Sequence, residues 1–255
     1  MDSNWQRAVS YLLKSAKVLN IRANFTKPAT AIVLIGIFGL TSLTLASPSS
    51  RYQIEILKIS SAYGAEFDPI KAIETLAVKG RAPKTGYSRS AFGPAWADVD
   101  RNGCDTRNDI LKRDLTQITF RARSKDCVVE SGVLADPFSG EKINFQRGEK
   151  SSALVQIDHV VALSNAWQTG IFKADLATRK SFANDPLNLL AVKGSLNSQK
   201  GDGDAATWLP PNKSFRCEYV SRQVEIKVKY SLWLTKAEKD AILRILSNPP
   251  CLRES

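Results

Sequence analysis

Two short apolar runs constrain this chain more than any other feature. ALVQIDHVVAL (153–163) and NLLAV (188–192) are β-branched and apolar enough to form buried strands. A polar, helix-prone stretch from Ser164 to Asn184 separates them, Asp185-Pro186 resets the chain direction, and only Gly194 to Lys200 is left for a short helix before Gly201-Asp-Gly-Asp204 ends it. The order is strand, excursion, strand, helix, and it predicts an α+β chain.

The flanking segments carry signals of both kinds. Asp68-Pro69 opens a helical pattern through Ile70, Ile73, Leu76 and Ala77 that Gly80 closes. APKTGYSRSAFGPAWADVDRNG (82–103) has no period and is rich in Gly, Pro and Ser, so it reads as irregular surface structure. A helix from Asn108 to Leu115 precedes the β-leaning runs QITFRA and CVVESGVL, and DPFSGEKINF reads as a hairpin turn followed by a strand. Further on, a helix spans Cys217 to Tyr230. Thr235-Lys-Ala-Glu238 is a capping box before AILRIL, with a stop at Asn248-Pro-Pro.

Five Lys/Arg precede an uncharged stretch from Pro28 to Ser50, the pattern of an export segment over residues 1–46. Thr44 and Ala46 offer a cleavage site before Ser47. A retained membrane anchor is the alternative, and either form engages the membrane or the export machinery. A connector over 47–65 and one compact domain over 66–255 complete the expected organisation, since the length excludes two large domains. An extracytoplasmic address suits four cysteines without CxxC spacing, which favours disulfides over a zinc knuckle. Three connectivities are possible, and the sequential pairing, Cys104–Cys127 with Cys217–Cys251, is the expectation.

The formal charge is +11, and residues 47–255 hold 31 basic against 24 acidic residues, a net of about +7. Such a surplus admits nucleic acid, acidic polysaccharide or an anionic membrane surface as partner without choosing among them. His159 is the only histidine in the chain, which excludes His-rich zinc sites and multi-histidine phosphoesterase centres. Alone, a histidine at a strand end is an ordinary structural residue. What changes its weight is NLLAVKGSLNSQKGD downstream, where Asn188 and Asn197 are nine positions apart and Lys200 follows on the same short helix.

IDHVV, NLLAV and LNSQKGD together resemble the HNH endonuclease motif in its His-Asn-Asn form. The resemblance implies a ββα-metal (HNH/His-Me finger) core at about 153–201, with additional helices and short strands around it. Over residues 75–251, GYSRSAFGPAW, NGCDTRNDIL, IDHVVAL, FANDPLNLLAV, QKGDGDAATWLPP and FRCEYV also resemble secreted bacterial HNH proteins related to the C-terminal domain of GmrSD restriction enzymes. Carried over by position, the resemblance implies that Asp158 and Asn197 ligate a metal, His159 is the general base and Asn188 orients the loop bearing it. Lys200 is then a candidate for holding a substrate phosphate. Carboxylate and amide oxygens suit Mg²⁺ or Mn²⁺, and the substrate class implied is DNA, with RNA as the second candidate. The cysteines of the family's zinc knuckle are absent, so disulfides take over that support. A neutral imidazole base predicts activity that falls as pH drops below the histidine range. A binding module for nucleic acid or acidic wall polymer that does not cut is the alternative from another class.

Weaker signals carry expectations too. DVDRNGCDTRND spaces Asp98, Asp100, Asn102 and Asp109 like a structural Ca²⁺ loop, although Asp105 stands where such loops carry an apolar residue; an Asx-rich turn pinned by Cys104 is the plainer reading. Arg107 or Asn108 would lie near the scissile phosphate on an intermediate reading. Arg216, Arg222, Lys227 and Lys229 form either a groove for a nucleic-acid backbone or a solvated helix face. Trp96, Trp167, Trp208 and Trp233 read as core or loop anchors, with Trp167 the best candidate for base stacking. Ser164 and Ser195 lack a nucleophile elbow.

Overall fold

A computed structural model of the chain describes residues 67–148 and 151–252, and these form a mixed α+β fold with two small antiparallel sheets and two disulfides. The expected export segment and connector lie outside the described residues. Helix α1 (Pro69–Glu74) starts as its sequence predicts, with the Asp68 carboxylate accepting from the Ile70 and Lys71 amides. It ends a turn earlier than Ala77 because the chain leaves it to bridge Val78 to Leu234. Only Ile73 of its apolar residues is fully buried, and Ile70 is exposed.

Helix α2 (Thr106–Asp114), capped by Asp105, runs straight into β1 (Leu115–Phe120). β1, β2 (Val129–Ala135) and β3 (Lys142–Gln146) form a meander in that order. β4 (Val155–His159) and β5 (Leu189–Lys193) form the second sheet, with Asp158 opposite Leu190 and His159 opposite Leu189. Between them lie α3 (Leu163–Gln168) and α4 (Leu176–Ala183), and directly after β5 comes α5 (Gly194–Lys200). Gly194 is obligatory at that junction, because a Cβ there would overlap the Ala153 carbonyl oxygen. α6 (Arg216–Lys229) and α7 (Lys236–Leu246) finish the body, and the Thr235/Glu238 capping box is formed.

The β4–β5 pair separates two cores, as alternation along a strand requires. Val155, Ile157, Leu189 and Ala191 pack with Ile110, Leu111, Val129 and Phe145 on the α2 side. Leu190 and Val192 pack with Phe182, Tyr219, Val224 and the helices on the other side. The apolar run extends to Leu163 but the strand stops at His159. Asn188 takes over the next two amides: its main-chain oxygen accepts from Val160 N (2.8 Å) and its Oδ1 from Val161 N (2.9 Å). The disulfides are Cys104–Cys127 and Cys217–Cys251, closing loops of 23 and 34 residues; loops of this length correspond to about 3 to 4 kcal/mol each. Among the described residues, no helix is long and apolar enough to cross a membrane.

Candidate active site

The end of β4 sends consecutive side chains to opposite faces. Asp158 turns toward α5, where the i, i+3 spacing of Asn197 and Lys200 presents both to the strand. Two rungs result. Lys200 Nζ donates to Asp158 Oδ1 (2.8 Å) and to the main-chain oxygen of His159 (2.7 Å), and Asn197 Nδ2 donates to Gln156 Oε1 (2.8 Å). Asp158 Oδ2 is buried without a hydrogen-bond partner. Burial holds the Asp158 carboxyl above the usual carboxylate range, against the opposing pull of the Lys200 ammonium.

His159 faces the other way, into a small cleft of about 50 Å³ lined by Arg89, Phe92, Trp96, Leu163, Ala183 and Asn184 among others. Its Nε2 lies 2.9 Å from the Ala183 carbonyl oxygen. A carbonyl only accepts, so Nε2 carries the proton and Nδ1 holds the free lone pair of the neutral ring. The Trp96 indole stacks on the imidazole, with centroids 6.0 Å apart and planes 17° from parallel. Trp96 is held there with φ +56, a left-handed conformation costly for a bulky residue. Burial lowers the His159 pKa to about 4, aided by the positive charges of Arg89 and Lys200 and opposed by the Ala183 hydrogen bond.

That shift moves protonation of the ring below the ordinary histidine range. A base with its folded pKa depressed stays neutral as pH falls from 7 to 5 and gains its proton only near 4. Because His159 is the sole histidine, its ring protons are a clean NMR probe of the metal-free protein. The expected titration has its midpoint near pH 4, and a midpoint at the unperturbed value of about 6.5 would refute the buried setting.

Asn188 sits in the 3₁₀ turn Pro186–Asn188 and is fully buried. Besides accepting from Val161 N, it donates through Nδ2 to Val161 O (3.3 Å) and Phe182 O (3.4 Å), tying the chain that leaves His159 to the end of α4. Asp158, His159, Asn188, Asn197 and Lys200 are thus gathered around one strand end. Lys200 is not at the surface: its side chain is fully buried as the counterion of Asp158, so phosphate has no access to it in this arrangement. Arg107 is elsewhere too. Its guanidinium donates to Val155 O (3.4 Å), at the far end of β4 and about 13 Å along the strand from His159; burial and nearby Arg147 lower its pKa.

The segment expected to resemble a calcium loop is arranged as a web of Asx contacts. Asn102 Nδ2 donates to Asp100 Oδ2 and Asp109 Oδ1 (both 3.0 Å), so an amide N–H stands between the carboxylates, while Asp98 accepts from the Asn102 and Gly103 amides. Among the described residues, no group of three or more His, Cys, Asp or Glu side chains is placed to hold a metal. The basic face expected on α6 is largely committed internally. Lys227 is fully buried with Glu238 (2.9 Å), Lys229 pairs with Asp185 (2.6 Å) and Arg216 donates to Pro210 O (2.8 Å). Trp167 is a core anchor, its Nε1 donating to Thr85 O (3.2 Å).

The sequence motifs give Arg89 no role, Trp96 only that of a core or loop anchor and Gln156 none, yet these residues line or support the site. The signal for the first two lay in GYSRSAFGPAW, which has no periodicity and whose proximity to His159 is purely tertiary. The chain matches the family described as GmrSD restriction endonucleases, C-terminal domain, over residues 105–245. It belongs to that family. The GmrSD C-terminal match covers β1 to β5, α5 and nearly all of α7, and so includes the whole strand end built around Asp158 and His159. A protein of Arthroderma benhamiae named as an uncharacterized secreted protein is 36% identical over 174 residues, 68% of this chain and 80% of that protein. No solved structure matches the chain.

Proposed function

We propose that this GmrSD-family protein is an exported, divalent-metal-dependent endonuclease of the HNH type that hydrolyses phosphodiester bonds of DNA, with RNA as a second candidate substrate. The observation that carries the proposal is the division of labour at one strand end: an imidazole whose Nε2–H is anchored, leaving Nδ1 as a base, beside a buried carboxylate with an unpartnered oxygen. Family membership supports nuclease chemistry at the coarse level. Export is supported by the leader pattern of residues 1–46, by two disulfides, and by the name of the relative.

The residues fit a hard divalent cation in donor chemistry. Asp158 would bind it through Oδ2, and Asn197 through Oδ1, which no hydrogen bond engages among the described residues because Gln156 takes the Nδ2 side. A bound Mg²⁺ or Mn²⁺ would neutralise charge developing on the phosphate and the leaving oxygen. His159 accepts a proton from the attacking water at Nδ1 while the water oxygen bonds to phosphorus and the bond to the leaving oxygen breaks. Ala183 fixes the ring and Trp96 restricts water to the open edge of the imidazole. Asn188 holds the chain beyond His159 and so positions the base.

Two observations favour binding without cutting: Asp158 is buried and already neutralised by the Lys200 ammonium, and it faces away from the cleft that holds His159, so metal binding requires the α5 side of β4 to open. Plasmid DNA, linear duplex and single-stranded DNA and RNA, each incubated with Mg²⁺, Mn²⁺, Ca²⁺ or chelator, decide between the two readings. The expected result is nicking with Mg²⁺ or Mn²⁺ and none in chelator. DNA retention without cleavage under every metal would replace the enzyme by the binding module.

A further inference from the structure

Arg89 is the cation that the fold delivers to the His159 cleft. It lies on the 3₁₀ turn Arg89–Phe92, is exposed, and lines the same cleft as the imidazole, which feels its charge. Among the described residues, no side-chain hydrogen bond or ion pair engages its guanidinium, whereas the two basic side chains expected at the phosphate, Lys200 and Arg107, are turned inward to protein oxygens.

The segment carrying Arg89 is strapped down on both sides. Arg81 pairs with Asp204 and Lys84 with Asp202, both at 2.7 Å, and Ser164 also donates to Asp202. Arg179 Nε donates to Ala91 O (2.7 Å), while Phe92 is buried among Trp167 and Phe182. Ser88 caps the turn through the Ala91 amide. A rigid backbone with one unspent planar fork pointing into a cleft is what bidentate recognition of an anion requires. The paired acids of GDGD acquire a purpose from this: they fasten the segment that bears Arg89.

We propose that Arg89 binds a backbone phosphate of the nucleic acid held against His159, the part that Lys200 and Arg107 do not play. The proposal rests on the nuclease reading and extends it to how substrate is held.

The experiment compares the full protein with Arg89→Ala, Arg89→Lys and, as a charge control on the β1–β2 turn, Arg123→Ala. Binding of a fluorescent oligonucleotide is measured in chelator across a salt series, and steady-state cleavage is measured with the activating metal. For Arg89→Ala the expected results are binding about tenfold weaker or more, as loss of a charged hydrogen-bond pair implies, a salt slope shallower by about one, and a raised KM. Arg89→Lys should fall between, and Arg123→Ala should match the unsubstituted protein. An unchanged far-UV spectrum is expected because Arg89 is exposed. If Arg89→Ala binds and cuts as the unsubstituted protein does, or if Arg123→Ala is equally impaired, the inference is overturned while the nuclease reading stands. If the unsubstituted protein neither binds nor cuts any nucleic acid, both fall.

Discussion

Lys200→Met lowers stability by about 4 kcal/mol, the expected consequence of leaving the Asp158 carboxylate buried without its counterion. Asp158 is 3% exposed and the Lys200 side chain 0%, so neither solvent nor a rearranged surface chain can replace the lost partner. For a domain of this size the loss corresponds to a melting temperature lower by roughly 10 °C. The effect has a pH signature. With Lys200 gone, burial, the largest influence on the carboxyl, raises its pKa with only the main-chain hydrogen bond at His159 opposing it. The folded variant therefore binds a proton that the unfolded chain releases, and the gap between variant and unsubstituted protein widens from pH 5 to pH 8. Melting curves at both values check this, and a gap that narrows with rising pH contradicts it. Asp158→Asn combined with Lys200→Met should recover much of the loss, since the charge stranded by the single change is gone.

The same pair marks where sequence reasoning reached its limit. The strand, helix and capping signals around the site are local, and they placed β4, β5, α5 and the Thr235 cap within a few residues. Asn188 entered only through the family resemblance, and its contact with the Val161 amide lies just beyond the end of β4, where no strand pattern reaches. Lys200 is different. A lysine on a short helix before Gly-Asp-Gly-Asp looks solvated, and its burial depends on the face of β4 that α5 covers, set by Gly194 pressing on the Ala153 carbonyl. Arg89 was less accessible still. Its place beside His159 follows from contacts such as Lys84 to Asp202, 118 residues apart, and Arg81 to Asp204, 123 apart. No periodicity encodes contacts of that span. The calcium-like spacing of Asp98 to Asp109 is a local pattern, and what the fold adds to it is the set of Asx contacts in which the Asn102 amide N–H bridges Asp100 and Asp109.

On the nuclease reading, His159→Ala is expected to lower cleavage by about a hundredfold to ten-thousandfold while leaving the fold intact. General bases contribute on the order of 10² to 10⁴, and this chain has no second histidine to substitute. The imidazole lies at a cleft edge with one hydrogen bond, to Ala183 O, so its loss unties one carbonyl and enlarges an existing space without opening the core. Stability should fall by about 1 to 2 kcal/mol, the scale of a buried hydrogen bond and its packing. The separation of the two readouts carries the weight, because Lys200→Met acts first on stability and His159→Ala first on rate. The burial that lowers the His159 pKa to about 4 adds a second discriminator. Cleavage by the unsubstituted protein should be insensitive to imidazole protonation between pH 7 and 5 and should fall only as pH approaches 4, since the proton that blocks Nδ1 binds there. Residual cutting by His159→Ala at the unsubstituted rate would remove the imidazole from the mechanism. A rate that halves near pH 6.5 would keep it as the base but deny the enclosed cleft that Trp96 and Ala183 build around it.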